Sequence, residues 1–159
     1  MAWTTPRTWA VNEQLTAALM NEQVRDNLSY LYDNMQGKLV TGYDYDYGKQ
    51  STTSTSYTDT TISVTITTTL QCTLLIIAHA KLRTTGGGGS YPAYAAIHNG
   101  TTQLLERTNT LQEYREETWV LRVPGKAAGT YTYKLQFKIT SGSTAWLDDA
   151  GMIVIAIPE

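Results

Sequence analysis

Two histidines, His79 and His98, are the side chains best suited to metal binding or proton transfer near neutral pH. His79 lies inside an apolar run, and His98 stands just before an Asn-Gly pair. The two can fall on neighbouring strands, but a zinc site needs three or four ligands, and neither an H-E-x-x-H nor a C-x-x-C spacing supplies them. Acyl transfer on a G-x-S-x-G elbow has no matching motif. Glycoside hydrolysis needs two carboxylates facing each other across a cleft. Glu113, Glu116, Glu117 and the pair Asp148-Asp149 offer carboxylates, but neighbours on a strand point to opposite faces. Glu116 and Glu117 are therefore expected to solvate a loop. The run Gly86–Gly89 is followed by neither Lys-Ser/Thr nor a helix start, so it reads as a surface tip rather than a phosphate cradle. Cys72 is the single cysteine and reads as a small buried hydrophobe. The expectation is a protein with no catalytic residues, no metal and no cofactor, hence not an enzyme. Tyr91, Tyr94, Tyr114 and Trp146 lie near turns, where rings can stack on sugars or rim a core or interface.

The elements that would position these groups are strands. Of 159 residues, 16% are charged, below the usual quarter, and Thr, Ser, Gly and 11 Tyr fill the difference. Thr and Tyr pack well on a pleated surface. Over 60–159, Ile62, Val64 and Ile66 alternate with polar residues. Leu70–Leu82 is apolar on nearly both faces and so reads as a central strand. Asn99-Gly100 marks a hairpin. Trp119–Val123 forms another strand, ending at Pro124-Gly125. From Gly129, Tyr131, Tyr133, Leu135, Phe137 and Ile139 face one way and Thr132, Lys134, Gln136 and Lys138 the other. Thr144–Leu147 reads as a short strand, and Met152–Ile157 as a final one inside the sheet. Seven to eight strands without a βαβ pattern predict an antiparallel β-sandwich of jelly-roll type. Residues 38–59 read as a connector. In it the Tyr43-Asp44-Tyr45-Asp46-Tyr47 alternation puts three rings on one face and two carboxylates on the other, as an edge strand or extended linker.

Residues 1–37 form the third region, an extended segment and the single helix. Thr16 is the expected N-cap and Gly37 the stop, enclosing a helix roughly 30 Å long. Ala17, Val24, Leu28, Leu31 and Met35 follow a 7-4-3-4 heptad seam, with Asn21 at an a position, where its amide can fix register and oligomer state. Leu15, Leu19 and Met20 lie partly off that seam, and the run is shorter than three heptads, so the spacing fits packing on copies of itself, on another protein or back on its own domain. The net charge of -2 comes without a basic block, so no nucleic-acid partner is expected. No run approaches the ~18 apolar residues of a membrane span, and the N-terminus lacks the apolar core of a signal peptide. Both features predict a soluble protein made in a cytoplasm, without membrane insertion.

The residues Trp3-Thr4-Thr5-Pro6-Arg7-Thr8-Trp9, then Leu15-Thr16-Ala17-Ala18-Leu19-Met20-Asn21 and Val24-Arg25-Asp26-Asn27-Leu28 with Leu31, resemble a leader of tailed-bacteriophage virion proteins of the tail-fibre, head-fibre and decoration type. The resemblance covers about 30 residues. Ala10-Val11-Asn12-Glu13 departs from the Gly-Val that typically follows the second Trp. The resemblance implies an attachment segment feeding a small, often trimeric β-sandwich on the virion surface. Short length favours a capsid decoration protein or head fibre over a complete tail fibre. Trp3, Pro6, Trp9, Leu15 and Leu19 are then the candidate attachment residues, holding the chain to the major capsid protein or another virion protein. Asn21, Val24, Leu28, Leu31 and Met35 are the candidate self-association residues of a homotrimer. The alternative is an adhesin module whose sandwich contacts a host surface glycan.

Overall fold

The structure is a computed structural model describing residues 8, 11–14, 16–36, 40–85, 91–140 and 142–159, with only the backbone of 32–36. Trp3, Pro6, Trp9, Leu15, Gly37, Gly86–Gly89 and the Met35 side chain lie outside the described residues. The chain divides into two compact units, Met1–Leu39 and Val40–Glu159.

In the first unit Thr16 caps the helix as expected: its extended backbone turns the chain and its hydroxyl accepts from the Leu19 N–H at 3.3 Å. The helix runs as α1 (Ala17–Met20), a π-helical stretch over Asn21–Asp26, and α2 (Asn27–Gln36). Bonding to i+5 rather than i+4 adds a residue to the turn, so the seam read from Ala17 is interrupted at Asn21. Leu28 and Leu31 keep α spacing within α2.

The second unit is a two-layer antiparallel sandwich of β1 (Val40–Asp46), β2 (Gln50–Thr52), β3 (Thr58–Thr68), β4 (Cys72–Thr84), β5 (Ala93–Asn99), β6 (Thr102–Asn109), β7 (Arg115–Lys126), β8 (Gly129–Ile139) and β9 (Ala145–Pro158). The first sheet has the order β1-β9-β4-β7, with β2 also on β9; the second has the order β3-β8-β5-β6. β1 pairs with Ala150–Ala156 and β2 with Ala145–Leu147, so they act as one interrupted strand. Counted so, eight strands fall into two four-stranded sheets, the jelly-roll arrangement expected from sequence. β4 is central, and β9 lies inside its sheet, between β1/β2 and β4.

Four expectations need correction. Of the two readings of the Tyr/Asp run, the edge strand holds and the linker does not: β1 and β2 are ladder-bonded to β9 at the sheet edge, and the sandwich unit begins at Val40 rather than residue 60. The two last strands are one, because β9 runs through Asp148-Asp149. A register shift against β4 absorbs the irregularity there, and Asp149 takes a left-handed φ of 50°. Glu116 and Glu117 belong to β7 rather than a loop; Glu117 turns inward, is buried, and pairs with Arg115 at 3.0 Å. The β5–β6 turn is Gly100-Thr101, one residue later than the Asn-Gly pair suggested, with Gly100 at φ 59°.

The core fills the space between the sheets with Ile62, Leu74, Ile76, Leu82, Ile97, Trp119, Tyr133, Leu135, Leu147 and Val154, all fully buried. The alternation read in β8 holds: Tyr133, Leu135, Phe137 and Ile139 are buried while Lys134, Gln136 and Lys138 are only partly covered. The Tyr133 hydroxyl is buried without a partner, and burial pushes its pKa up to about 12. Tyr133→Phe removes a polar atom that has lost water and gained nothing. Chemical denaturation is therefore expected to show stability unchanged or raised by about 1 kcal/mol; a comparable loss would contradict it.

Candidate functional site

The outer faces of the two sheets differ. The outer face of β3 and β8 is built as a solvated face should be: Thr65 bonds Thr132 at 2.8 Å, Thr67 bonds Thr130 at 2.9 Å, and Asp59 accepts from Lys134 and Gln136. Further along, the Tyr57 hydroxyl donates to Glu106, its ring meets His98 edge-on at 4.7 Å, and Lys138 lies 4.3 Å over it. Tyr57 thereby spans the β5–β6 pair, and His98 is buried with its Nε2 unpartnered.

The outer face of β1, β9, β4 and β7 is instead apolar and aromatic. In one row Tyr43, Ile153, Ile77 and Val120 stand in register; in the next, Tyr45, Gly151, His79 and Thr118. These rows form a shallow groove of about 190 Å³, with Tyr43, Tyr45, Ile77, His79, Gly151 and Ile153 in its walls. Tyr43 and Tyr47 are 81% and 80% exposed. Tyr45 packs against Tyr47 at 4.0 Å and His79 at 5.4 Å.

The Tyr/Asp alternation explains how β1 presents these rings. Asp44 and Asp46 point the other way and tie the strand to β3: Asp44 accepts from the Ser63 N–H at 2.8 Å, and Asp46 from the Thr61 hydroxyl at 2.5 Å. Outward, Tyr45 is held at its far end. Its hydroxyl donates to Asp149, whose other oxygen accepts from Lys81 at 2.6 Å. The Lys81 hydrogen bond, then that of Tyr45, holds the Asp149 carboxyl below its usual range, and Asp149 in turn raises Tyr45 and Lys81. Gly151 lets the rings approach the strand. A Cβ there would lie 2.5 Å from Tyr45 Cδ2 and 2.8 Å from His79 Nε2. Two rows toward the other end of β4, Arg83 is paired in register with Trp146. Its guanidinium carbon lies 4.7 Å from the Tyr114 ring centre and 5.3 Å from that of Trp146.

These ionisations give the fold an acid dependence with a definite sign. Burial lowers the His98 pKa, so the stability gained from keeping it neutral is present above its ordinary value of about 6.5 and lost as pH falls through the lowered one. Asp46, Asp59, Asp149 and Glu159 are each held below the carboxylate range by hydrogen bonds, from Thr61, Lys134, Lys81 and Thr73 first. Their contribution is complete above about pH 4 and disappears below it. Thermal unfolding by circular dichroism is expected to show a first decline in Tm below pH 6.5 and a steeper one below pH 4. His98→Phe removes only the first. A Tm constant down to pH 2 would contradict the assignment.

His79 and His98 lie on opposite sheets, so they do not share a site. Tyr114 and Trp146 are brought together around Arg83, whereas Tyr94 lies on the other face beneath Lys138, at 5.0 Å. Sequence reasoning missed Arg83, Lys81 and Gly151; the odd positions of β4 facing outward were the available signal. In the helix, Met20, Val24, Leu28 and Leu31 are 44%, 42%, 60% and 43% exposed, while Leu19 is half-buried and Asn21 exposed. Among the described residues, no helix is long and apolar enough to cross a membrane.

No family model and no curated protein matches the chain. Similar backbones occur in Eiger TNF from S. frugiperda, 7% identical over 77% of this chain and 94% of that one, with a TM-score of 0.48. Others are an infectious bursal disease virus Gt-strain chain (14% identity, 74% and 31% coverage, TM-score 0.44) and the Family 16 Carbohydrate Binding Module-2 (12% identity, 73% and 86% coverage, TM-score 0.39).

Proposed function

We propose that the chain is a non-enzymatic structural protein of a tailed-phage particle. In this reading it decorates the capsid surface as a homotrimer and is held there by its N-terminal segment. The observation that carries the self-association is the seam itself: Val24, Leu28 and Leu31 all stay substantially exposed. Apolar side chains at 3- and 4-residue spacing on one helix gain most by packing on equivalent helices. The Trp3–Trp9 leader and its resemblance to phage attachment segments supply the particle.

Two measurements test this. Light scattering of the full chain at micromolar concentration is expected to return three times the chain mass, and a monomer removes the trimer. Deleting residues 1–15 is expected to abolish occupancy on particles while leaving the sandwich folded; full occupancy removes the docking role of Trp3, Pro6 and Trp9.

A second reading, binding of a host glycan by the sandwich, is favoured by one observation. The groove lined by Tyr43 and Tyr45, with Tyr47 packed on Tyr45, is open, aromatic and pre-set by the Lys81–Asp149–Tyr45 chain of hydrogen bonds. Exposed rings beside fixed polar groups suit the apolar faces and hydroxyl edges of sugars. Joint replacement of Tyr43 and Tyr47 by Ala is expected to abolish any glycan-array signal of the wild type.

A further inference from the structure

Arg83 lacks the carboxylate partner that four other cations of the sandwich have. Lys81 has Asp149, Lys134 has Asp59, Arg115 has Glu117, and Lys138 lies near Glu106. Among the described residues no carboxylate pairs with Arg83, which instead sits between the rings of Tyr114 and Trp146. Three polar atoms of this trio, Arg83 Nε, the Tyr114 hydroxyl and Trp146 Nε1, are buried and have no hydrogen-bond partner. Native proteins rarely leave such groups unpaired; these three atoms are shut off from solvent, but Arg83 is only half-buried, and its terminal nitrogens, which are not among them, are open to a partner from outside. Guanidinium and indole N–H groups only donate, so that partner must accept. A carboxylate accepts only, carries the complementary charge, and fits the planar guanidinium fork.

Position narrows the class of ligand. Arg83, Lys81, His79 and Ile77 follow one another on the outer face of β4, which leads from the Arg83 trio to the tyrosine groove. Four residues separate Arg83 from His79, about 13 Å along the strand, the reach of a short oligosaccharide. The groove, about 190 Å³ and open, takes single rings rather than a folded element. Lys81 is already held by Asp149, with Glu116 and Asp148 adding to the negative charge around it. That leaves Arg83 as the cation able to receive an acid at this end. We infer that Arg83, Tyr114 and Trp146 form the acid-group subsite of a saccharide-binding face, which takes a uronic- or sialic-type sugar by its carboxylate while Trp146 stacks on its ring. The inference rests on the glycan reading of this face.

The test is calorimetric titration of the full chain with oligogalacturonate, hyaluronan oligosaccharide and sialyllactose, each beside its carboxyl-reduced or desialylated counterpart. Wild-type protein is expected to bind at least one acidic member and to lose tenfold or more when its carboxylate is removed. Arg83→Gln should lose the same factor, and Arg83→Lys most of it, because the charge stays and the fork goes. Trp146→Phe keeps a smaller stacking ring and should weaken binding by a smaller factor. No binding of any acidic or neutral member overturns both the glycan reading and this inference. Equal binding of acidic and neutral members, unaffected by Arg83→Gln but abolished by replacing Tyr43 and Tyr47, keeps the glycan reading and overturns the subsite. Poly-glutamate binding more tightly than every saccharide overturns the sugar assignment.

Discussion

Trp119→Ala is expected to destabilise the sandwich by about 3–5 kcal/mol. That is a large part of the roughly 5–15 kcal/mol a domain has to spare. Among the described residues, Trp119 is the largest fully buried side chain. It stands in register with Ala78 on β4, and Ala80, two residues on, is likewise small and fully buried. One indole thus fills space that its neighbours leave. Truncating it opens a cavity bounded by β-ladders, which cannot collapse as a loop can. Tm should fall by more than about 10 °C in a calorimetric scan. Trp119→Phe separates volume from chemistry. Its buried Nε1 has no partner, so the phenyl ring gives up volume but no hydrogen bond, and the cost should be well below that of Trp119→Ala. Equal losses for the two variants would mean that the indole N–H, not the packing, matters.

What the sequence disclosed follows from what its patterns encode. Period-two alternation reports which face of a strand is buried, so the inward side chains of β8 and the outward rings of β1 were legible. A run apolar on both faces marked β4 as central. Alternation does not report lateral partners, which is why β1 and β2 looked like a connector: their place is fixed by the ladder to β9 and by Asp44 and Asp46 bonding across to β3. Nor does it see through a bulge. Asp148-Asp149 looked like a break, yet that irregularity swings Asp149 to where it meets both Tyr45 and Lys81. The candidate site lies at this bulge and at Gly151, whose missing Cβ means nothing until Tyr45 and His79 are seen against it. The unpaired state of Arg83 is likewise a statement about what is absent around it, which only three dimensions supply. In the helix, spacing gave the apolar positions but not the π stretch, because spacing carries no hydrogen-bond pattern.

With the seam interrupted at Asn21, the part of the helix that can pack on copies of itself in regular α geometry is α2, where Leu28 is the most exposed of the four apolar side chains. Replacing Leu28 and Leu31 together by Asp should therefore dissociate the proposed trimer. Two buried leucines contribute about 3–6 kcal/mol per chain. At 1.4 kcal/mol per decade, their loss weakens association by roughly two to four orders of magnitude, and like charges brought together by symmetry weaken it further. Light scattering should show the mass fall to that of one chain at micromolar concentration. The sandwich, a compact unit of its own from Val40 to Glu159, should keep its strand signal in circular dichroism. A trimer that survives the double substitution would move the interface off the helix. The apolar outer face of β4 and β9, where Ile77 and Ile153 floor the groove, would then be the surface shared between copies, and a sugar could no longer reach it.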